Sequence, residues 1–133
     1  MKQKLLLAST LLALSAIGCN KEDDAPPLTG GKGGNASLRV VTMHHTRMIT
    51  DITVYIKYAA ATMPMKFDDS ARVQITPTDT VAIFTGLKTG RYFLYGSGND
   101  PLISQAVTGG VPITISEEKE YKVLCPVSES GDH

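Results

Sequence analysis

The sequence predicts an all-β protein that folds as a single antiparallel β-sandwich of seven to eight strands. Three observations carry this prediction. Its apolar runs are short and rich in β-branched residues, no window keeps an apolar face at helical spacing, and turn residues recur about every ten positions. The predicted domain covers residues 36–127, which suffices for one hydrophobic core and is too short for two.

The strands follow from alternation and from the turn residues between them. We predict strands over residues 38–43, 51–58, 72–76, 103–107, 111–115 and 121–127, a hairpin over 81–95, a loop over 96–101 and a flexible tail over 128–133. The clearest is 51–58, where Ile52, Val54 and Ile56 face one side. In the strand over 72–76, Val73 and Ile75 are predicted to point inward.

The hairpin over residues 81–95 is predicted to be the centre of the fold. Gly86 and Gly90 bracket its turn and give the backbone freedom there. Leu87 is apolar at a loop tip, where polar residues are usual, so we expect it to fold back and close one end of the core.

The motif over residues 84–94, Phe-x-Gly-Leu-x-x-Gly-x-Tyr-x-Leu, resembles transthyretin-like and carboxypeptidase-regulatory-like β-sandwiches, including the Cna-B type of surface repeat. The resemblance implies a transthyretin-like or immunoglobulin-like sandwich in which the leucine packs beneath the sheets and the Gly-x-Tyr-x-Leu strand is central. Sandwiches of this kind have many unrelated functions, so the resemblance implies a fold and no activity.

The N-terminus has the pattern of a lipoprotein signal peptide over residues 1–18. Lys2 and Lys4 precede an apolar run that is shorter than the ~20 residues of a membrane-spanning helix. Residues 16–19, Ala-Ile-Gly-Cys, resemble the lipobox of bacterial lipoproteins, which implies cleavage before Cys19 and its modification with acyl chains such as palmitate. The alternative is an ordinary signal peptide with an incidental cysteine.

An acidic segment follows this cysteine. Lys21, Glu22, Asp23 and Asp24 resemble the export signal of Bacteroidetes lipoproteins that are displayed on the outer face of the outer membrane. The resemblance implies a lipid-anchored, surface-exposed outer-membrane protein, whereas a plain acidic spacer would leave it facing the periplasm. The stretch over 19–35 is rich in Pro and Gly and is predicted to be a disordered, lipidated tether.

The net charge narrows the choice of partners. The chain has 13 basic and 13 acidic residues, and removal of Lys2 and Lys4 with the signal peptide leaves 11 basic ones. A slightly acidic protein is a poor ligand for nucleic acid or for anionic membrane surfaces. The expected partners are the membrane, through the lipid anchor, and a protein or glycan ligand of unknown identity.

The pair His44-His45 is the first candidate for chemistry. Imidazole is a common metal ligand, and thioethers suit copper. The methionines that could contribute are Met43, Met48, Met63 and Met65. Adjacent residues of a strand face opposite sides, so both histidines can share a metal only in an irregular turn. The preferred interpretation is a polar turn between two strands without a cofactor.

Cys125 is predicted to be a buried, inert thiol, because it alternates with Val123 and Val127 and because Cys19 is expected to be lipidated. The pairs Asp68-Asp69 and Asn99-Asp100 lack the ligand spacing of a calcium loop and fit turns.

Two triplets, Asp-Ser-Ala and Asp-Thr-Val, place Ser70 and Thr80 in a pattern that resembles the O-glycosylation motif of exported Bacteroidetes proteins.

Since no nucleophile and base come together in the sequence, we expect a non-catalytic, membrane-anchored module for binding, adhesion or an accessory-subunit role at the cell envelope. The alternative is an envelope lipoprotein that handles copper or zinc through His44, His45 and the methionines.

Overall fold

A computed structural model describes residues 28–129, and within them the chain forms strands and no helix. The strands are β1 (Lys32–His44), β2 (Arg47–Met48), β3 (Ile52–Tyr58), β4 (Asp69–Arg72), β5 (Gln74–Ile75), β6 (Thr80–Leu87), β7 (Gly90–Asp100), β8 (Gln105–Ile115), β9 (Glu120–Pro126) and β10 (Ser128–Glu129). Of these ten, β2, β5 and β10 are only two residues long, so seven strands of ordinary length remain. The all-β prediction is confirmed.

Two five-stranded sheets form the sandwich. The first has the order β2-β1-β6-β5 with β9 also paired to β1, and the second has the order β10-β8-β7-β3-β4. Pairing is antiparallel except between β1 and β9, which run parallel from Ser37 opposite Glu120 to Met43 opposite Pro126. A parallel pair needs a long connection, and here β2 to β8 lie between these two strands along the chain.

The core lies between the facing surfaces of the two sheets. Leu38 and Val40 of β1 point inward from the first sheet, and Ile52, Val54 and Ile56 of β3 point inward from the second. Their burial alternates with that of the intervening residues, as the period of two requires. The prediction for β3 is therefore confirmed.

The predicted hairpin over residues 81–95 is wrong in its pairing, although both of its strands exist. β6 pairs with β1 and β5 in the first sheet, whereas β7 pairs with β3 and β8 in the second. The short connection between Leu87 and Gly90 thus crosses from one sheet to the other. Leu87 is fully buried beneath this crossing, which confirms that it closes one end of the core.

The predicted strand over residues 72–76 is divided between the sheets. β4 ends at Arg72 beside β3, and β5 begins at Gln74 beside β6. Val73, at the switch, is buried as predicted, and its N–H donates to the carbonyl oxygen of Ile52. Ile75 is 72% exposed, so its predicted inward position is wrong, because the chain has already moved to the edge of the first sheet.

The glycines that were interpreted as loop and turn signals lie inside β7 and β8. A side chain at Gly98 would overlap the carbonyl oxygen of Asp51, and one at Gly109 would overlap that of Pro126. These glycines let neighbouring backbone approach the strands closely, and both strands run through them. The predicted loop over 96–101 is consequently the end of β7.

Glycines near the N-terminus of the domain act in the same way. A side chain at Gly34 would overlap the backbone of Leu87, and the N–H of Gly31 donates to the hydroxyl of Tyr92 at 2.8 Å. The first strand therefore begins at Lys32, inside the predicted tether over 19–35, and the strands extend past residue 127 into β10. The predicted signal peptide, Cys19 and the acidic segment over 21–24 lie outside the described residues.

Candidate functional site

A buried ionic cluster lies at the end of the sandwich opposite Leu87, where β1 ends at His44. The side chains of His44 and Asp100 are 1% and 0% exposed, and Nδ1 of His44 lies 2.7 Å from Oδ2 of Asp100. His44 belongs to the first sheet and Asp100 to the second. The contact thus joins the two layers at this end of the core.

Asp100 is held as a carboxylate by several donors. Arg47 donates from Nη2 to Oδ2 at 2.7 Å, and the N–H of Leu102 donates to Oδ1 at 3.0 Å. Hydrogen bonds from Arg47 and then His44 hold the pKa of Asp100 well below its usual range, against the opposing effect of burial. These charge-assisted hydrogen bonds offset the cost of burying the carboxylate.

His44 also faces a second carboxylate. Its Nε2 atom lies 3.2 Å from Oε2 of Glu129 in β10, yet within residues 28–129 this buried nitrogen makes no well-aligned hydrogen bond. The hydrogen bond to Asp100, followed by the influence of Glu129, raises the pKa of His44 despite desolvation. The imidazolium form is stabilised, and Nε2 points toward a carboxylate oxygen that is poorly aligned with it.

The turn after β1 brings His45 to the same place. His44 pairs with Arg47, so His45 and Thr46 form a two-residue loop, and His45 adopts a φ of 60°. This is the irregular turn that two adjacent histidines require if they are to share a ligand. The two rings lie 4.2 Å apart between centroids, and one donor atom each from His44, His45 and Glu129 fall within 4.8 Å of one another.

The methionines do not join this cluster. Met43 neighbours His44 in β1 and therefore faces the opposite side of the sheet, where it pairs with Met48. Met63 and Met65 are exposed in the connection between β3 and β4. The structure brings the two predicted histidines together and leaves the predicted methionine ligands elsewhere.

Met43 and Met48 contribute instead to an apolar surface on the outside of the first sheet. We call Val41, Met43, Met48 and Leu124 the outer apolar strip, because their side chains line one open cleft of about 560 Å³. Met48 and Leu124 are 53% and 57% exposed. Isolated apolar residues on a surface are normal, and a contiguous group around a cleft is a candidate contact surface.

A group of aromatic rings lies on the outside of the second sheet. Phe67 stacks on Tyr95 with ring centroids 5.7 Å apart and lies 5.5 Å from the ring of Tyr55. Tyr55 and Phe67 also border an open cleft of about 470 Å³ with Asp68 and Ser70. Aromatic faces beside polar groups suit ligands such as sugars that present both apolar and hydroxyl surfaces.

The remaining positions that the sequence analysis singled out lie outside the ionic cluster. Cys125 is fully buried as predicted, and burial raises the pKa of its thiol to about 11. Asp68 accepts a hydrogen bond from the N–H of Tyr58, as expected of a residue near a strand end. Ser70 is exposed on β4 at the edge of the second sheet, and Thr80 is half-buried at the start of β6.

Sequence reasoning missed three members of the ionic cluster. Asp100 was interpreted as a turn residue, and Arg47 and Glu129 were not singled out. Arg47 follows the histidine pair within the same tight turn, which is a usable signal. Asp100 and Glu129 come from β7 and β10, and nothing in their local sequence reveals that the fold brings them to His44.

No protein-family model matches the chain, and no curated protein matches it. Residues 28–129 contain no helix with the length and apolar character that crossing a bilayer requires.

Proposed function

We propose that this protein is a non-catalytic, lipid-anchored module of the bacterial cell envelope that binds a protein partner through the outer apolar strip. The single observation that supports binding is the strip itself. Its four side chains line a cleft, together with Thr46, Lys122 and Val123, on a face that the second sheet does not cover. Removing apolar area from water stabilises a complex by roughly 25 cal/mol per Å². A protein with an apolar surface of its own is the partner that can cover the strip, so we propose a protein.

The anchor is proposed from the lipobox-like residues that end at Cys19 and from the acidic segment after it. Acyl chains on Cys19 would hold the sandwich at the outer membrane, and residues 20–31 would link the lipid to the start of β1. Display on the cell exterior would make the strip available to partners outside the cell.

A glycan is the second candidate ligand, and the aromatic group of Tyr55, Phe67 and Tyr95 favours it. This group lies on the opposite outer face from the strip, so the two candidates can be separated by mutation. Phe67→Ala would remove the stacked ring and weaken glycan binding while leaving the strip unchanged.

The binding proposal is tested by placing a charge in the strip. Met48→Glu and Leu124→Glu should each abolish a complex that the full-length protein forms in detergent extracts of its own membranes, as measured by native electrophoresis. Ile75→Glu is the matched control, since Ile75 is an exposed apolar residue outside the strip. Strip variants that still form the complex and migrate like the Ile75→Glu control would refute the proposal.

The anchoring proposal is tested in intact cells. Cys19→Ser should leave the protein unprocessed or released, because cleavage and lipidation both need that thiol. Changing Glu22, Asp23 and Asp24 to Ala should retain the lipid and protect the protein from protease added outside the cells. If the triple variant is digested as readily as the wild type, the acidic segment is only a spacer and the domain is better explained as facing the periplasm.

A further inference from the structure

We infer that His44, His45 and Glu129 form a binding site for a divalent transition-metal cation such as Zn(II). This site lies at the end of the sandwich, on different residues from the outer apolar strip, and it adds an activity to the proposed binding module.

The ligand spacing supports the site. Zn(II) binds imidazole nitrogen and carboxylate oxygen at ~2.0–2.2 Å, so two ligands of a tetrahedral site are separated by roughly 3.3 Å. Nε2 of His44 and Oε2 of Glu129 are 3.2 Å apart, which is already this separation. His45 is exposed on its turn, and its donor atom falls within 4.8 Å of the other two, so rotation of one surface side chain completes the set.

The state of His44 is a second, independent observation. Its Nε2 atom is buried and lacks a well-aligned hydrogen bond among residues 28–129. Its Nδ1 atom faces Asp100 at 2.7 Å, and that carboxylate is fixed in turn by Arg47. A bound cation would displace the Nε2 proton of His44, and a neutral histidine that donates Nδ1–H to a carboxylate presents the lone pair of Nε2 to the metal, as in general carboxylate–histidine–metal arrangements. Asp100 is thus a positioning residue.

The donor set decides which ion fits. Two imidazoles and one carboxylate suit Zn(II) and Cu(II), whereas Cu(I) prefers thioether and thiolate ligands. Met43 points to the other face of the sheet, and Met63 and Met65 lie in a separate connection, so the geometry does not favour Cu(I). Three protein ligands leave a fourth tetrahedral position open for water or for a donor atom of a bound partner.

The test is calorimetric titration of the full-length protein, purified in detergent without a histidine tag, with Zn(II). We expect one ion per chain with a dissociation constant of about 1 µM or lower. His45→Ala and Glu129→Gln should each weaken binding at least about tenfold. Thr46→Ala, in the same turn, should bind like the wild type. Co(II) should give the visible absorption of a tetrahedral complex in the wild type and lose it in His45→Ala.

His45 is exposed, so its replacement leaves the fold intact, and thermal unfolding of the variant in chelator checks this. His133→Ala separates the proposed site from binding by the C-terminal histidine. Absence of stoichiometric Zn(II) binding would overturn the inference. Wild-type affinity in both His45→Ala and Glu129→Gln would also overturn it, as would loss of binding in His133→Ala alone.

Discussion

Nδ1 of His44 lies 2.7 Å from Oδ2 of Asp100, and both side chains are buried between the sheets. Fifty-six residues separate the two along the chain, and each belongs to a different sheet. Burying charge is unfavourable unless the charges are paired, so this contact is stable only because Arg47 and Glu129 complete the cluster. It ties the sheets together at the end where β1 and β7 terminate.

The pKa shift of His44 predicts how stability depends on pH. The folded-state pKa lies above the ordinary value of 6.5, so the contribution of His44 is fully present below that value and is lost as pH rises through the folded-state pKa. Denaturant unfolding at about pH 6 and about pH 9, in chelator, should give a lower free energy of unfolding at the higher pH. His44→Gln should be less stable and lack this component, whereas Thr46→Ala should retain it. A wild-type protein that gains stability over this range would contradict the prediction.

The pKa of Asp100 is shifted in the opposite direction and predicts an acid limit. Its folded-state pKa lies below the ordinary value of 3.8, so the stability that it contributes is present above that value and is lost as pH falls through the folded-state pKa. Asp100→Asn should unfold more easily at neutral pH and show a weaker loss of stability on acidification than the wild type. Acid titrations followed by circular dichroism measure both effects, and parallel acid unfolding curves would exclude a role for Asp100.

Leu87 should be the most sensitive position in the crossing between β6 and β7. It is fully buried at the end of the core, so Leu87→Ala leaves a cavity and should cost about 2–4 kcal/mol of unfolding free energy. Thr89→Ala, at an exposed position in the same connection, should stay within about 0.5 kcal/mol. Chemical denaturation distinguishes the two variants, and equal losses would mean that Leu87 is not a core residue.

The hydroxyl of Tyr92 fixes the segment that enters β1. It accepts a hydrogen bond from the N–H of Gly31 and donates one to the carbonyl oxygen of Lys88 at 2.7 Å. Tyr92→Phe keeps the ring but leaves the buried Gly31 N–H and the partly buried Lys88 carbonyl without this partner, which should cost about 1–3 kcal/mol. Tyr95→Phe is the control, since Tyr95 is half-buried on the outer face. Hydrogen exchange should show faster exchange of the Gly31 N–H in Tyr92→Phe alone.

Local patterns were enough to predict most of the strands and part of the core. The alternation of residues 52–58 identified the buried face of β3, and an apolar Leu87 in a turn identified the end of the core. The pairing of β6 with β7 was predicted wrongly because adjacent strands with a short connection usually form a hairpin. Local sequence does not distinguish that hairpin from a crossing between sheets.

Glycine was the other source of error. Gly34 falls in the predicted tether and Gly98 in the predicted loop, yet each lies in a strand where a neighbouring backbone passes too close for a side chain. Glycine has the same sequence signature in both situations. The ionic cluster could not be predicted for a related reason, since Asp100 and Glu129 reach His44 only through the long-range arrangement of β7 and β10.

The most direct test of the proposed function is photo-crosslinking in intact cells at single positions of the full-length protein. A photoreactive residue at Leu124, which is 57% exposed in the outer apolar strip, should give discrete adducts with a partner protein. The same residue at Ile75, which is 72% exposed outside the strip, should give none of these adducts. Adducts from Leu124 alone would support the strip as the binding surface. An absence of adducts at Leu124, or an identical pattern from both positions, would contradict the account.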